Sequence, residues 1–175
     1  LRKMKYIIRE MTQTEYDRLD DFLYKAVFVP EGTPAPPRSI TQESDLQVYL
    51  DDFGDRPDDL ALVAESNGRL AGCIWARIMN DYGHIDDQTP SLAISLYPEY
   101  RNQGIGTALL NSMLDHLKQR GYRQVSLSVQ KANFALNMYR KAGFEIVGED
   151  KEEVIMVCPL QTACRQTALN PGRTE

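Results

Sequence analysis

Cysteine and histidine are both scarce in this 175-residue chain, at three (Cys73, Cys158 and Cys164) and two (His84 and His116). The cysteines are odd in number and show no Cys-x-x-Cys spacing, so reduced structural thiols are expected and no metal site is assigned. No apolar run approaches the ~18 residues a membrane span requires. The basic start Arg2-Lys3-Met4-Lys5 leads into a charged strand, not into the apolar stretch of a signal peptide, so a cytoplasmic protein without membrane attachment is expected. Basic charge is not in excess either: the net charge is -5, which argues against a nucleic-acid partner and suits a cationic ligand. Gly-Lys-Ser/Thr is absent, which removes the phosphate loop of the nucleoside triphosphatases. There is no internal repeat and no low-complexity tract.

What is present fits one globular domain, with 42% hydrophobic and 26% charged residues. Lys5 to Glu10 reads as a strand, and Thr12-x-x-Glu15 as a capping box opening a helix with Tyr16, Leu19, Leu23 and Ala26 on its core face. Val29 to Arg38 holds four prolines and a glycine and must be a loop, after which Gln42 to Phe53 resumes a helical pattern through Leu46, Tyr49, Leu50 and Phe53. Asn67-Gly68 joins the apolar runs Leu60–Ser66 and Arg69–Met79 as an antiparallel hairpin. A third helix, Gly104 to Arg120, carries Ile105, Leu109, Leu110, Met113, Leu114 and Leu117 on one stripe and stops at Gly121. A fourth stops at Gly143, and Phe144–Gly148 with Val154–Leu160 closes the domain as a hairpin. The order is β-αα-βββ-αβ-αβ-β, over residues 1–160. Residues 161–175 lack an apolar period and are set apart as a C-terminal tail.

Between the fourth strand and the third helix runs Leu96-Tyr97-Pro98-Glu99-Tyr100-Arg101-Asn102-Gln103-Gly104-Ile105-Gly106-Thr107. Pro98 has no N–H to give a ladder, so the strand must end or bulge near Leu96 and Tyr97. Gly104 and Gly106 let the backbone curl so that unpaired N–H groups of the helix start converge on an anion, with Arg101 as an added positive charge. Taken alone, the same residues also describe a tight strand-to-helix turn with two packing glycines. A dinucleotide fold is disfavoured: Leu109 stands where a third small residue is needed, and Val125-Ser126-Leu127-Ser128 where an acidic residue should hold a ribose.

About 30 residues on, the alternating strand Val125–Val129 precedes Asn133-x-x-Ala-x-x-Met138-Tyr139-x-x-x-Gly143-Phe144. Together with Arg101-x-x-Gly104-x-Gly106, this resembles the paired motifs of the GCN5-related N-acetyltransferase family. The resemblance implies an α/β (α+β) domain with a mixed, mostly antiparallel sheet flanked by helices, and acetyl-CoA as cofactor. It implies that Leu96, Tyr97, Pro98 and the Arg101–Thr107 loop hold pantetheine and pyrophosphate, with Asn133, Asn137 and Tyr139 beside them. Leu96 N–H becomes the donor to the acetyl carbonyl, and Tyr139 the acid for the departing thiolate.

The family's glutamate near the fourth strand has no counterpart in Ser91–Ser95. The candidates for taking the amine's proton are therefore His84 and Asp86, with Asp87 and, further off, Glu31 expected to face the acceptor. The loop Asn80–Pro90 that carries three of them also reads as a solvated turn with Asp81 and Asp86 as caps. The expected activity is acetyl transfer to the primary amine of a small cationic molecule. A silent acyl-CoA-binding sensor and a protein or peptide N-acetyltransferase are the alternatives, and a homodimer stays open.

Overall fold

The computed structural model describes residues 3–161; the tail beyond, with Cys164, lies outside the described residues. Seven strands form one mixed sheet in the order β1-β2-β3-β4-β5-β7-β6. These are β1 (Ile7–Glu10), β2 (Leu60–Ser66), β3 (Arg69–Arg77), β4 (Ser91–Leu96), β5 (Gln124–Gln130), β6 (Glu145–Glu149) and β7 (Glu153–Pro159). Every pairing is antiparallel except β4 with β5. The β2–β3 hairpin turns through Asn67 at φ 51° and Gly68 at φ 74°, the two left-handed residues a type I′ turn demands.

Strand alternation sends two sets of side chains to two faces. Leu62, Ile74, Leu92, Val125, Leu127 and Met156 pack with Leu109, Leu110, Met113 and Leu117 of helix α3 (Ile105–Gln119), and with Tyr139 of helix α4 (Ala135–Ala142). Val63, Cys73 and Trp75 face the opposite way, against Leu19, Phe22 and Leu23 of helix α1 (Leu19–Ala26). The Thr12/Glu15 capping box is formed, but it opens a 3-10 helix, Gln13–Arg18, that leads into α1. Cys73 and Cys158 are buried free thiols.

The expected helix over Gln42–Phe53 does not form as one. A 3-10 turn at Arg38–Gln42 is followed by a single α turn, α2 (Ser44–Gln47), and then by irregular turns. Buried neighbours take the carbonyls that the helix would have used. Arg77, fully buried, donates to the carbonyls of Val48 (3.1 Å) and Asp51 (2.8 Å), and the Trp75 indole donates to that of Tyr49 (3.2 Å). Left-handed Asp52 (φ 51°) and Gly54 (φ 100°) then turn the chain away. Leu46, Tyr49, Leu50 and Phe53 still reach the α1-side core, so their periodicity recorded burial without a continuous helix.

Candidate functional site

β4 and β5 are parallel neighbours, yet they register only at Ser91 and Ser126. Beyond that point the strands separate toward their carboxyl ends. Tyr97 N–H bonds to the Ala71 carbonyl at 3.0 Å, so the odd-numbered residues of β4 turn their backbone groups to β3. By alternation, Ile94 and Leu96 turn theirs into the gap. There the Leu96 carbonyl accepts from Arg101 Nε at 3.1 Å, which leaves Leu96 N–H as the free donor. Pro98 ends the strand and starts a 3-10 turn, Pro98–Tyr100. Arg101 is thus folded back on the strand end.

The loop curls by two left-handed residues, Asn102 at φ 59° and Gly104 at φ 85°. Gln103 closes it by donating to the Glu99 carbonyl at 3.0 Å. The first helical bond runs from Ala108 N–H to the Gly104 carbonyl, so the N–H groups of Gly104, Ile105, Gly106 and Thr107 have no helical acceptor. A side chain at Gly104 would meet nothing within 4 Å, so the loop is uncovered at that point. At Gly106 it would lie 3.5 Å from both Leu96 Cδ1 and Met138 Sδ. The first turn of α3 therefore sits against both β4 and α4 at the mouth of the gap.

α4 enters from the far side. Asn133 Oδ1 accepts from Ala135 N–H at 2.9 Å and fixes the helix entry, while Asn137 is exposed a turn later. Gly143, left-handed at φ 107°, ends the helix, and Phe144 N–H returns to the Tyr139 carbonyl at 3.0 Å. The Phe144 ring meets the Tyr139 ring edge-on at 5.8 Å. The Gly143-Phe144 pair is therefore what locks Tyr139 in place. Burial pushes the Tyr139 phenol up, so it stays a proton donor through the neutral range, and no described residue hydrogen-bonds its hydroxyl.

The sheet face that packs on α1 carries two carboxylates that sequence reasoning missed. Asp81 accepts from Tyr49 Oη at 2.9 Å and from Ser91 Oγ at 2.8 Å, beside the residue where β4 and β5 last touch. Burial raises it above the ordinary carboxylate value, against those two hydrogen bonds. Glu153 of β7 pairs with Gln130, four residues along β5 from Ser126. Its Oε2 is buried without a partner, and burial first, then Asp150 and Glu152, raise its pKa. Asp81 and Glu153 both push the Tyr49 phenol upward, after the larger effect of burial. Asp81 read only as a turn cap in the sequence, because nothing local shows that Tyr49 and Ser91 converge on it.

The other residues expected at the acceptor end are spread out. His84 and Asp87 lie 3.6 Å apart, lining with Arg56, Asp51 and Met79 a cleft of about 400 Å³. That cleft lies at the Ser91 end of β4, the end where Asp81 also sits, five residues from Leu96. Asp86 is exposed and bonded to Gln88 N–H, which lowers its pKa, so it serves a turn. Glu31 is exposed in the proline-rich loop. His116 is half-buried and bonded within α3 to the Ser112 carbonyl at 2.8 Å. Among the described residues no group of three or more metal-ligating side chains assembles, and no helix is long and apolar enough to cross a membrane.

Comparison with known proteins agrees with this fold. The model of the acetyltransferase (GNAT) family matches residues 24–144. A mycothiol acetyltransferase of Propionibacterium freudenreichii subsp. shermanii is 28% identical over 113 residues, 64% of this chain and 35% of that protein. An uncharacterized N-acetyltransferase of Methanocaldococcus jannaschii is 31% identical over 143 residues, 80% of this chain and 61% of that protein. The chain spans about a third of the length of the mycothiol acetyltransferase. Two solved structures share the fold. The ribosomal-protein-S18-alanine N-acetyltransferase of Escherichia coli has TM-score 0.65 at 20% identity, covering 93% of this chain and 98% of that one. The PaiA N-acetyltransferase of Thermoplasma acidophilum, in complex with coenzyme A, has TM-score 0.65 at 21% identity, covering 89% and 99%. The family match covers well over half of the chain and includes the strand, the glycine loop and the tyrosine helix of the site: this protein is a member of the GNAT acetyltransferase family.

Proposed function

We propose that the protein is a cytoplasmic enzyme that transfers an acetyl group from acetyl-CoA to the primary amine of a small cationic acceptor, both bound at once. The observation that carries this reading is the gap between β4 and β5, with free backbone on its lip and an open anion cradle at its mouth. The open Gly104 position and the four unpaired N–H groups fit a pyrophosphate, and the Ile94–Leu96 backbone fits the amides of a pantetheine arm. When bound, acetyl-CoA supplies an acetyl group activated as a thioester.

The chain's own residues divide the remaining work. Leu96 N–H holds the acetyl oxygen as charge develops on it, an interaction of ~3–4 kcal/mol for a well-aimed donor. Tyr139, kept protonated by burial, gives its proton to the departing sulfur. The amine arrives as an ammonium and must lose a proton before it attacks. Asp81 and Glu153, both raised above the ordinary carboxylate value by burial, attract the cation and receive that proton from the α1-side face. The net negative charge of the chain supports a cationic acceptor in the same direction.

The test is thiol release from acetyl-CoA in the presence of polyamines, aminoglycosides, amino acids and short peptides. Turnover with a small polyamine or aminoglycoside is expected. Binding of CoA with no turnover on any amine would instead identify an acyl-CoA sensor, and turnover confined to peptides an N-terminal acetyltransferase.

A further inference from the structure

The most exposed large apolar side chain among the described residues is Phe134, with 90% of its surface open. It is not on a loose segment. Asn133 N–H bonds to the Gln130 carbonyl at 2.9 Å, Asn133 Oδ1 takes Ala135 N–H at 2.9 Å, and Asn137 N–H returns to the Phe134 carbonyl at 3.2 Å. The ring is therefore held out into solvent by a fixed backbone, at the entry of α4.

Topology sets what stands beside it. β4 and β5 are parallel, and each is followed by a helix on the same face of the sheet, so α3 and α4 both begin at the end where the gap opens. Met138, one turn after Phe134, lies against the Gly106 position of the cradle. Phe134 stands one turn further out, past the cradle and away from the gap. A ligand whose pyrophosphate rests on the α3 N-terminus, with its arm in the gap, sends its other end out of the cradle toward this region.

We propose that Phe134 is a stacking platform for the adenine of CoA, a nucleotide-end contact that complements the backbone cradle. The proposal rests on the acetyl-CoA reading above. It gives a role to an aromatic ring that the fold leaves uncovered, and a purine face is the part of this ligand able to cover it without hydrogen-bond partners. Base–aromatic stacking of this kind is tolerant of exact position and changes affinity by about tenfold.

Calorimetry on the full chain with CoA and with 4′-phosphopantetheine, which keeps the phosphate and arm but lacks the adenosine, separates the possibilities. Phe134→Ala should weaken CoA about tenfold and leave 4′-phosphopantetheine unchanged, with an unaltered melting temperature since the ring packs on nothing. In Phe134→Trp the new indole should be quenched by CoA and not by 4′-phosphopantetheine, against a constant background from the fully buried Trp75. Unchanged CoA affinity in Phe134→Ala, or an equal loss for both ligands, overturns the adenine platform while leaving the CoA site standing. Failure of the unmodified protein to bind either ligand overturns the CoA reading itself, and this contact with it.

Discussion

Gly106→Ala should make the protein more stable and a poorer binder of CoA, and that opposition distinguishes a ligand groove from a packing turn. Gly106 is the second residue of α3. The methyl group would sit 3.5 Å from Leu96 Cδ1 and Met138 Sδ, an ordinary contact distance. No strain opposes it, and replacing glycine by alanine in a helix gains up to ~1 kcal/mol. For a domain of this size that raises the melting temperature by ~2–4 °C. The same methyl narrows the mouth of the β4/β5 gap and stands among the N–H groups expected to receive the pyrophosphate, so CoA affinity should fall at least tenfold. Scanning calorimetry with and without ligand reads both effects. At CoA concentrations ~100 times the native Kd, the native protein gains ~2.7 kcal/mol, whereas a variant binding tenfold more weakly gains ~1.4 kcal/mol. The variant's intrinsic advantage then disappears. A variant that is more stable and binds CoA as well as the native chain refutes the cradle, and the loop would be a structural turn only.

Tyr139→Phe keeps the ring contact with Phe144 and removes the proton donor; kcat should fall ~10²–10⁴-fold with CoA affinity unchanged, and an unaltered kcat in stopped-assay kinetics would assign the proton to water. Asp59→Ala strips the carboxylate that holds fully buried Arg77 at 3.0 Å, and should cost ~3–5 kcal/mol in urea unfolding because an unpaired charge is left inside. Asp81 binds its proton more tightly folded than unfolded, so between the ordinary carboxylate value and its raised one the native state carries more proton, and stability should fall as pH rises through that window. Asp81→Asn removes that term; thermal melts from pH 4 to 7 should show a slope difference of this sign between the two proteins, and identical slopes would place Asp81 in a solvated, unshifted state.

The backbone of the proposed acetyl-CoA site was legible because it is written in residue types over short stretches of chain. A proline that stops a strand, two left-handed positions, and a glycine that closes a helix over its tyrosine each leave a residue type that alternatives do not tolerate. The strand end at Pro98, the left-handed turn at Gly104 and the helix stop at Gly143 formed where the sequence placed them; the roles proposed for Leu96, the Arg101–Thr107 loop and the Asn133–Phe144 segment await the ligand. One contact was not legible: nothing in the sequence neighbourhood of Arg101 says that its guanidinium returns to the Leu96 carbonyl. The second helix failed for a related reason. Its apolar spacing was correct, but Arg77 and Trp75, some 26 residues away in sequence, capture its carbonyls.

The acceptor half depends on register, which single residues do not announce. Glu153 lies on the α1-side face because β7 pairs with β5 so that Glu153 meets Gln130; a slip of one residue would turn it to the other face of the sheet. Asp81 reaches Tyr49 and Ser91 because the 13-residue loop between β3 and β4 folds back until Ser126 Oγ reaches the Gly83 carbonyl at 2.6 Å. Gly83 is needed there: a side chain on it would lie 3.0 Å from the β5 backbone at Leu127 and Ser128. The two halves thus have different tolerance to change. Substitutions that respect φ leave the cradle intact, whereas lengthening the 80–90 loop by a residue moves Asp81 off Tyr49 and Ser91 without touching the donor machinery. A Gly83→Ala variant, which lifts the loop from β5, is therefore expected to change the preference among the proposed amine acceptors in the thiol-release assay before it changes CoA affinity in calorimetry.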